Sequence, residues 1–311
     1  MKVLVTGGAG FIGSWVCEVL VRRGCDVLCV DDFSRGRPEN IKSFCRSMRV
    51  ETMNILEPPF TKLMVHYQPD VVVHLAAIHY IPEVNQRPAA SIRTNVEGVQ
   101  AVCSACSLAG CQRLIVASSA AVYSTCDSPH VEDEAPLNPV DLYGLTKLWA
   151  EQLALLAVRT LGIKTVALRF FNAIGPRETN PHLIPYILEN IDARHIPLGN
   201  ILTQRDYTFV GDIAEVVARL CERDPKKDWE IFNVCRGIGA TANDILQTLS
   251  SILRREIQAD VRADRIRKVD VPYLVGSSDR LRTAIGYVPN TDLIDGLKIT
   301  LRSDARFSKL L

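Results

Sequence analysis

Residues Val3–Gly13, with the sequence VLVTGGAGFIG, decide the fold of this chain. The β-branched run Val3–Thr6 predicts a buried strand, and glycines follow it at positions 7, 10 and 13. Glycines at this spacing permit a tight turn, close approach of the backbone to a pyrophosphate and close packing of helix on strand. The helix expected over Ser14–Arg23 then presents free amides and a positive dipole end to the phosphates. The stretch therefore predicts a dinucleotide-binding unit.

An acid at the end of the second predicted strand supports this interpretation. Asp31 follows the apolar run Val27–Val30, about 20 residues after the glycine turn, where such units carry an acid. Its carboxylate accepts hydrogen bonds from ribose hydroxyls and repels a 2′-phosphate, which favours NAD over NADP. Arg35 and Arg37 lie nearby and could weaken that preference. The alternative is a plain glycine turn with a solvated acid.

Strand and helix patterns alternate through the first half of the chain. Further apolar runs occupy Val71–His74, Leu114–Ala117 and Thr165–Leu168, with helical patterns at Asn95–Leu108 and Tyr143–Thr160. Continuous apolar strands are covered by helices on both faces, so we expect an α/β fold with a doubly wound parallel sheet of the Rossmann type.

The pattern becomes less regular after Arg169, where prolines and glycines accumulate. Helical patterns return at Asp212–Arg223, Ala242–Arg254 and Asp292–Leu301. We therefore expect a smaller mixed C-terminal substrate domain. The NAD-binding domain is assigned to residues 1–168, with 206–235 returning to it, and the substrate domain to 169–205 and 236–311.

Composition restricts the function classes. The 311 residues have a net charge of +1, which predicts no charged face for nucleic acid. No apolar run approaches the roughly 20 residues of a membrane helix, and the opening MKVLVTGG predicts a strand rather than a signal peptide. Cys103 and Cys106 have no second pair at zinc spacing, so no metal site is predicted. Scattered thiols fit a cytoplasmic protein.

Several motifs in order carry a family resemblance. With the glycine turn, Asp31-Asp32-Phe33-Ser34, His74-Leu75-Ala76-Ala77 and Tyr143-x-x-x-Lys147, the chain resembles the extended short-chain dehydrogenase/reductases. Within these it is most similar to the nucleotide-sugar epimerase/dehydratase family, typified by UDP-galactose 4-epimerase. The resemblance covers nearly the whole chain and implies a nucleotide diphosphate sugar as substrate. It also implies these cofactor-binding residues: Gly7, Gly10, Phe11, Ile12, Gly13, Asp31, Asp32, Phe33, Ser34, Asn54, Ile55, Leu75, Ala76, Ala77, His79, Asn95, Tyr143, Lys147 and Phe170. Asn54 departs from the usual aspartate, and a packing role for His79 is an equal alternative.

Tyr143 and Lys147 are separated by one helical turn and share a face. Phenols have a pKa of about 10, and a nearby ammonium and a positive nicotinamide favour the phenolate, so we expect a lowered pKa and a tyrosine that acts as base. Ser119, at the end of its predicted strand, occupies the place where the family has its catalytic Ser or Thr. Ser118 is the alternative. The expected catalytic set is Ser119, Tyr143 and Lys147.

The resemblance also implies substrate contacts in the second half. The expected residues are Ser119, Asn172, His182, Leu183, Arg205, Arg267 and Asp270. The two arginines match those that clamp the diphosphate, because a planar guanidinium binds phosphate oxygens in pairs. Asp270 is expected to meet a ribose hydroxyl.

The residues after Ser119 bear on the reaction. Family dehydratases need an acid there to protonate the departing hydroxyl, whereas this chain has Ala120 and Ala121. The run is most similar to that of 4-epimerases, so an NAD-dependent C4 epimerase of a UDP- or GDP-hexose is predicted.

Two alternatives stay open. Leu198-Gly199-Asn200 and Val269–Gly276 resemble GDP-4-keto-6-deoxymannose reductases and GDP-mannose dehydratases, which makes a 4-keto-6-deoxyhexose reductase the first alternative. A catalytically inactive NAD-binding protein is the second. The resemblance implies a homodimer through Asn95–Leu108 and Tyr143–Thr160, with contacts from Ala101, Ala105, Leu148, Leu153, Leu155 and Leu156.

Overall fold

A computed structural model describes residues 1–193, 195–266 and 270–308. The strands are β1 Lys2–Thr6, β2 Asp26–Asp31, β3 Arg49–Thr52, β4 Val71–His74, β5 Arg113–Ser119, β6 Lys164–Phe170, β7 Asn172–Ile174, β8 His195–Leu198, β9 Gln204–Phe209, β10 Trp229–Val234, β11 Gly239–Ala240, β12 Gln258–Val261 and β13 Tyr273–Leu274. The α-helices are α1 Phe11–Arg22, α2 Pro38–Ile41, α3 Pro58–Tyr67, α4 Ile81–Gln86, α5 Pro88–Ile92, α6 Gly98–Ala109, α7 Leu142–Leu161, α8 Leu183–Glu189, α9 Val210–Glu222, α10 Ala242–Leu253, α11 Asp279–Ile285 and α12 Leu293–Ser303.

The larger part of the molecule is a parallel sheet of seven strands in the order β10-β6-β5-β4-β1-β2-β3. Apolar side chains of α1 and α9 pack on one face. Those of α3, α6 and α7 pack on the other. Both faces are therefore covered, which explains why the central strands are almost uniformly apolar. The predicted doubly wound α/β fold is confirmed.

The smaller part lies mainly in the C-terminal half. The strands β7, β9, β11 and β13 form a four-stranded sheet, and β8 pairs with β12. Helices α8, α10 and α12 share an apolar cluster with these strands. Residues 206–235 were expected to return to the large sheet. The helix α9 and strand β10 do so, whereas β9 lies in the small sheet.

Two helix boundaries differ from the sequence expectations. The first helix begins at Phe11, inside the glycine turn, rather than at Ser14. The helix expected from Asn95 begins as a π-helical turn, Arg93–Glu97, before α6. Such turns widen the helix and often occur at functional sites. In the described ranges, no helix combines the length and apolar character that crossing a membrane requires.

A buried ion pair fastens α7 to the large sheet. Arg169 of β6 is 1% exposed and donates from Nε and Nη2 to the Glu151 carboxylate of α7, at 2.9 and 2.8 Å. Its Nη1 donates to the Tyr123 hydroxyl at 2.9 Å and to the Glu132 carbonyl at 3.0 Å. Ser118 of β5 donates to the same carboxylate. The guanidinium therefore ties α7, two strands and the chain after β5 into one unit.

Arg169→Met should strongly destabilise the protein. Removing one partner of a buried pair leaves an uncompensated charge, here on Glu151, which costs about 3–5 kcal/mol. Urea denaturation measures the change in the free energy of unfolding. The control is Arg93→Met, whose pair with Glu97 is exposed on both sides and should contribute less than about 1 kcal/mol. Equal losses in the two variants would contradict this role for Arg169.

Candidate active site

A cavity of about 1120 Å³ opens at the carboxyl ends of β1, β2, β4, β5 and β6. In open α/β sheets, ligands bind outside this edge of the sheet. Its opposite wall comes from β7, the start of α8 and the loop after β8. The cavity therefore lies between the two parts of the molecule.

The glycine turn forms the floor at one end. Gly7 has φ +70°, and a Cβ there would lie 2.8 Å from the Ala76 backbone nitrogen. A Cβ on Gly13 would lie 2.0 Å from the Gly7 carbonyl oxygen, so α1 packs directly on the turn. Phe11 and Ile12, which also line the cavity, begin that helix. This side-chain-free cradle at a helix start fits the pyrophosphate of a dinucleotide.

Asp31 holds this turn as well as facing the cavity. It is 6% exposed, and its carboxylate accepts hydrogen bonds from the backbone nitrogens of Ala9 at 2.9 Å and Phe33 at 2.8 Å. Burial raises the pKa of Asp31, while these two amides act to lower it. Phe33 has φ +56°, a left-handed conformation that is rare outside glycine. This conformation points the Phe33 backbone amide at the Asp31 carboxylate.

The neighbouring cofactor candidates also reach the cavity, except Phe33, whose side chain packs against the core of the large sheet. Asp32 accepts from the Ser34 backbone nitrogen at 2.9 Å and from the Asn54 amide at 3.1 Å. Asn54 and Ile55 line the same end, and so do Asp32 and Ser34. Leu75, Ala76, Ala77 and His79 form the wall after β4.

Asn95 is placed differently from the sequence expectation. It is 1% exposed and does not line the cavity. Its Oδ1 accepts from the Ile78 backbone nitrogen at 2.8 Å, and its Nδ2 donates to the Ile78 carbonyl at 2.9 Å and to Thr146 Oγ1 at 3.0 Å. Asn95 is therefore not placed to contact a cofactor in the cavity. The side chain instead fixes the loop after β4 against α7.

Ser119, Tyr143 and Lys147 meet at the centre of the cavity. Ser119 ends β5, and Tyr143 lies in the first turn of α7, whose N-cap Asp141 accepts from the Gly144 backbone nitrogen at 2.8 Å. A Cβ on Gly144 would lie 2.2 Å from the Ala121 carbonyl oxygen. The absence of a side chain at position 144 lets the start of α7 approach the turn that follows Ser119.

The protonation of this set departs from the sequence expectation. Burial raises the pKa of Tyr143 to about 12, although a hydrogen bond with Ser119 acts to lower it. Burial also lowers the pKa of Lys147 to about 8, against the opposing charge of Glu151. Lys147 Nζ lies 6.0 Å from the centre of the Tyr143 ring and donates to the Ala117 carbonyl at 3.0 Å. The protein's own groups therefore keep the phenol neutral, and the expected lowering is wrong for them.

The substrate candidates form the opposite wall. Asn172, His182, Leu183, Arg205 and Asp270 all line the cavity, and so does the cofactor candidate Phe170 at the end of β6. Arg205 donates from Nη2 to Asp270 Oδ1 at 2.7 Å and from Nη1 to the Val271 carbonyl at 2.6 Å. The two residues expected to bind different parts of the substrate thus pair with each other. Arg267 lies outside the described residues.

One cluster in the cavity was not predicted. His79, Glu178 and His182 offer ligand atoms that all lie within 4.8 Å of one another. Burial lowers the pKa of His79 to about 4, so its imidazole is neutral at pH 7. Glu178 carries no sequence signal, since it is almost 100 positions from His79 and belongs to no local motif. Only the tertiary structure brings these residues together.

Comparisons with known proteins agree with this architecture. The sequence model of the NAD dependent epimerase/dehydratase family matches residues 3–235. The UDP-glucose 4-epimerase of Azospirillum brasilense is 31% identical, over 95% of this chain and 89% of the relative. The structure of the Thermotoga maritima UDP-glucose 4-epimerase with UDP-glucose aligns with a TM-score of 0.87 at 27% identity, covering 96% of this chain and 97% of that one. The Stenotrophomonas maltophila UDP-glucose-4-epimerase, solved with NAD and formylated UDP-arabinopyranose, gives a TM-score of 0.90 at 26% identity and covers both chains completely.

Proposed function

This chain belongs to the NAD dependent epimerase/dehydratase family, and we propose that it inverts C4 of a UDP-hexose through a transient 4-keto sugar. The observation that carries the proposal is the meeting of Ser119, Tyr143 and Lys147 in the cavity, with no acid directly after Ser119. Ala120 and Ala121 hold no proton to transfer, which disfavours dehydration. Relatives named UDP-glucose 4-epimerase support uridine as the nucleoside and a hexose as the sugar.

NAD is the cofactor, and we propose the residues that hold it. The glycine turn and the start of α1 would receive the pyrophosphate. Asp31 would accept from the adenosine ribose, with Asp32, Phe33, Ser34, Asn54 and Ile55 around it. The remaining length of NAD would lie along Leu75, Ala76, Ala77, His79 and Phe170. Asn95 acts as a positioning residue for the loop at Ile78.

Tyr143 and Ser119 would carry the proton transfer. When bound, NAD would supply the hydride acceptor for C4 and, after that transfer, the donor that returns the hydride, and its oxidised nicotinamide carries a positive charge. As the phenolate that this positive charge favours, Tyr143 would take the C4 hydroxyl proton and later give it back, while Ser119 hydrogen-bonds the reacting oxygen. Lys147, held on the Ala117 carbonyl, supplies positive charge behind the ring. These groups need no separate acid, since proton and hydride return to the atoms that they left.

Inversion requires the sugar to turn while its diphosphate stays bound. Arg205 and Arg267 would hold the diphosphate, and Asp270 a ribose hydroxyl, with Asn172, His182 and Leu183 along the nucleotide. Arg205 and Asp270 pair with each other at 2.7 Å. An arriving diphosphate would thus take over a guanidinium that is already oriented toward the cavity by the Val271 carbonyl.

Tyr143→Phe should abolish most turnover while NAD binding remains. The ring still fills its place, but the group that moves the proton is lost, and such groups contribute about 10²–10⁴-fold to the rate. Proton NMR should follow C4 inversion of UDP- and GDP-hexoses without added cofactor. NAD released on denaturation measures cofactor retention.

The control is Tyr67→Phe on α3, which also loses a buried hydroxyl hydrogen bond, to the Asp26 carbonyl at 2.7 Å, but lies outside the cavity. It should retain kcat. Unchanged turnover in Tyr143→Phe would refute its role. If no hexose is inverted by the unmodified protein, while a 4-keto-6-deoxy sugar is reduced with NAD(P)H, the protein is a reductase.

We also propose that the chain forms a homodimer through α6 and α7, which lie side by side. Trp149 and Leu156, seven residues apart on one face of α7, are 36% and 51% exposed. Leu108 near the end of α6 is 67% exposed. Three residues expected at the contact face inward instead. Ala105 is fully buried, and the half-buried Leu148 and Leu153 each pack against an apolar cluster of the same chain.

Leu156→Glu should convert the dimer to a monomer, because a charge at the centre of an apolar contact must be desolvated. Light scattering at micromolar concentration measures the mass. Leu202→Glu is the control, since Leu202 is 73% exposed on the other part of the molecule. A monomeric unmodified protein, or a Leu156→Glu variant that stays dimeric, would contradict the proposed interface.

A further inference from the structure

Two histidines and a glutamate converge on one wall of the cavity. His79 belongs to the loop after β4, while Glu178 and His182 lie between β7 and α8. Their nearest ligand atoms all lie within 4.8 Å of one another, and all three residues line the cavity. The hydride chemistry proposed above uses none of the three as a proton carrier.

The ring of His79 is already oriented as a metal ligand would be. It hydrogen-bonds with the backbone of Ala77, and its Nε2 lies 3.2 Å from the Asn180 amide nitrogen. An amide nitrogen can only donate, so Nε2 is the acceptor and carries a lone pair. Metal-bound histidines are held in the same way, with one ring nitrogen on a backbone group and the other free to ligate.

The carboxylate of Glu178 is also fixed in place. Its Oε1 accepts from the backbone nitrogens of Thr179 at 2.9 Å and Asn180 at 3.0 Å. The other oxygen, Oε2, lies 3.3 Å from His182 Nδ1. One oxygen is therefore anchored by the loop, and the second faces the imidazoles. Such bonding keeps the carboxylate ionised, and although burial opposes this, the hydrogen bond with His182 lowers the pKa of Glu178.

We propose that His79, Glu178 and His182 form a binding site for a zinc ion or a similar divalent cation. Two imidazoles and one carboxylate are a donor set that zinc prefers, whereas magnesium and calcium prefer oxygen alone. Three protein ligands leave a fourth position, which here faces the cavity. That position would hold water or an oxygen of a bound molecule.

The site needs only a small contraction to accept the ion. In a tetrahedral site with bonds of about 2.1 Å, ligand atoms lie about 3.4 Å apart, so no separation has to shorten by more than roughly 1.4 Å. The side chain of His182 is 39% exposed and can make this movement. The ion would also replace the hydrogen bond between Asn180 and His79. The alternative is a hydrogen-bonded latch, joining the loop after β4 to the loop before α8, that has no affinity for metal.

Calorimetric titration of the NAD-loaded, metal-free protein with zinc chloride distinguishes a metal site from a hydrogen-bonded latch. We expect one zinc ion per chain, and at least about tenfold weaker binding in Glu178→Gln and in His182→Ala. His66→Ala, an exposed histidine on α3, is the matched control and should bind zinc like the unmodified protein. NAD content and thermal unfolding show whether each variant is folded. The test is independent of the proposed epimerase activity, since it measures binding without any sugar.

Cobalt provides a second readout on the unmodified protein. Cobalt(II) in this site should give the intense visible absorption of four-coordinate nitrogen and oxygen ligation, and zinc should displace it. Failure to bind either metal would overturn the proposal and show that the three residues form only a hydrogen-bonded latch. Zinc bound equally by Glu178→Gln, His182→Ala and His66→Ala would also overturn it, because the metal would then lie on other groups, such as the cysteines.

Discussion

The ion pair between Arg169 and Glu151 is the constraint on which the site depends. Burying two charges is costly, and here every guanidinium nitrogen has an acceptor: the Glu151 carboxylate, the Tyr123 hydroxyl or the Glu132 carbonyl. Glu151 lies one turn beyond Lys147 on α7, so the pair sets the depth of that helix against the sheet. Ser118, which donates to the same carboxylate, is the neighbour of Ser119. The serine and the tyrosine therefore meet because one buried carboxylate positions both of their segments.

This rigid half of the cavity faces a half that has to adapt. C4 inversion requires that a 4-keto sugar present both faces in turn without leaving. The second half holds the half-buried Arg205 and Asp270, which pair with each other and line the cavity. In the proposed function this guanidinium is the group that would hold the diphosphate while the sugar turns. The neutral phenol of Tyr143 belongs to the rigid half of the cavity. The protein positions Tyr143, and the ionisation of its phenol depends on the positive charge of the bound NAD.

Local features of the fold and site were predictable from sequence. The glycine turn, Asp31 and the Tyr143–Lys147 spacing each depend on backbone geometry within a few residues, which the sequence encodes directly. The family resemblance implies a cofactor contact for Asn95, yet its partners Ile78 and Thr146 come from other segments. The pairing of Arg205 with Asp270 joins residues 65 positions apart, which no local pattern reveals. Leu153 packs against the core of the large sheet and Leu148 against the cluster around Tyr123. A helical pattern alone does not distinguish such contacts from contacts with a partner helix.

The return of hydride to the carbon that it left is the centre of this account. A UDP-hexose carrying deuterium at C4, incubated in ordinary water without added cofactor, tests it most directly. Mass spectrometry and NMR of the inverted product should find the deuterium still on C4, because a hydride bound to carbon does not exchange with water. Inverted product in which hydrogen from water has replaced the deuterium would contradict hydride return and require a different mechanism.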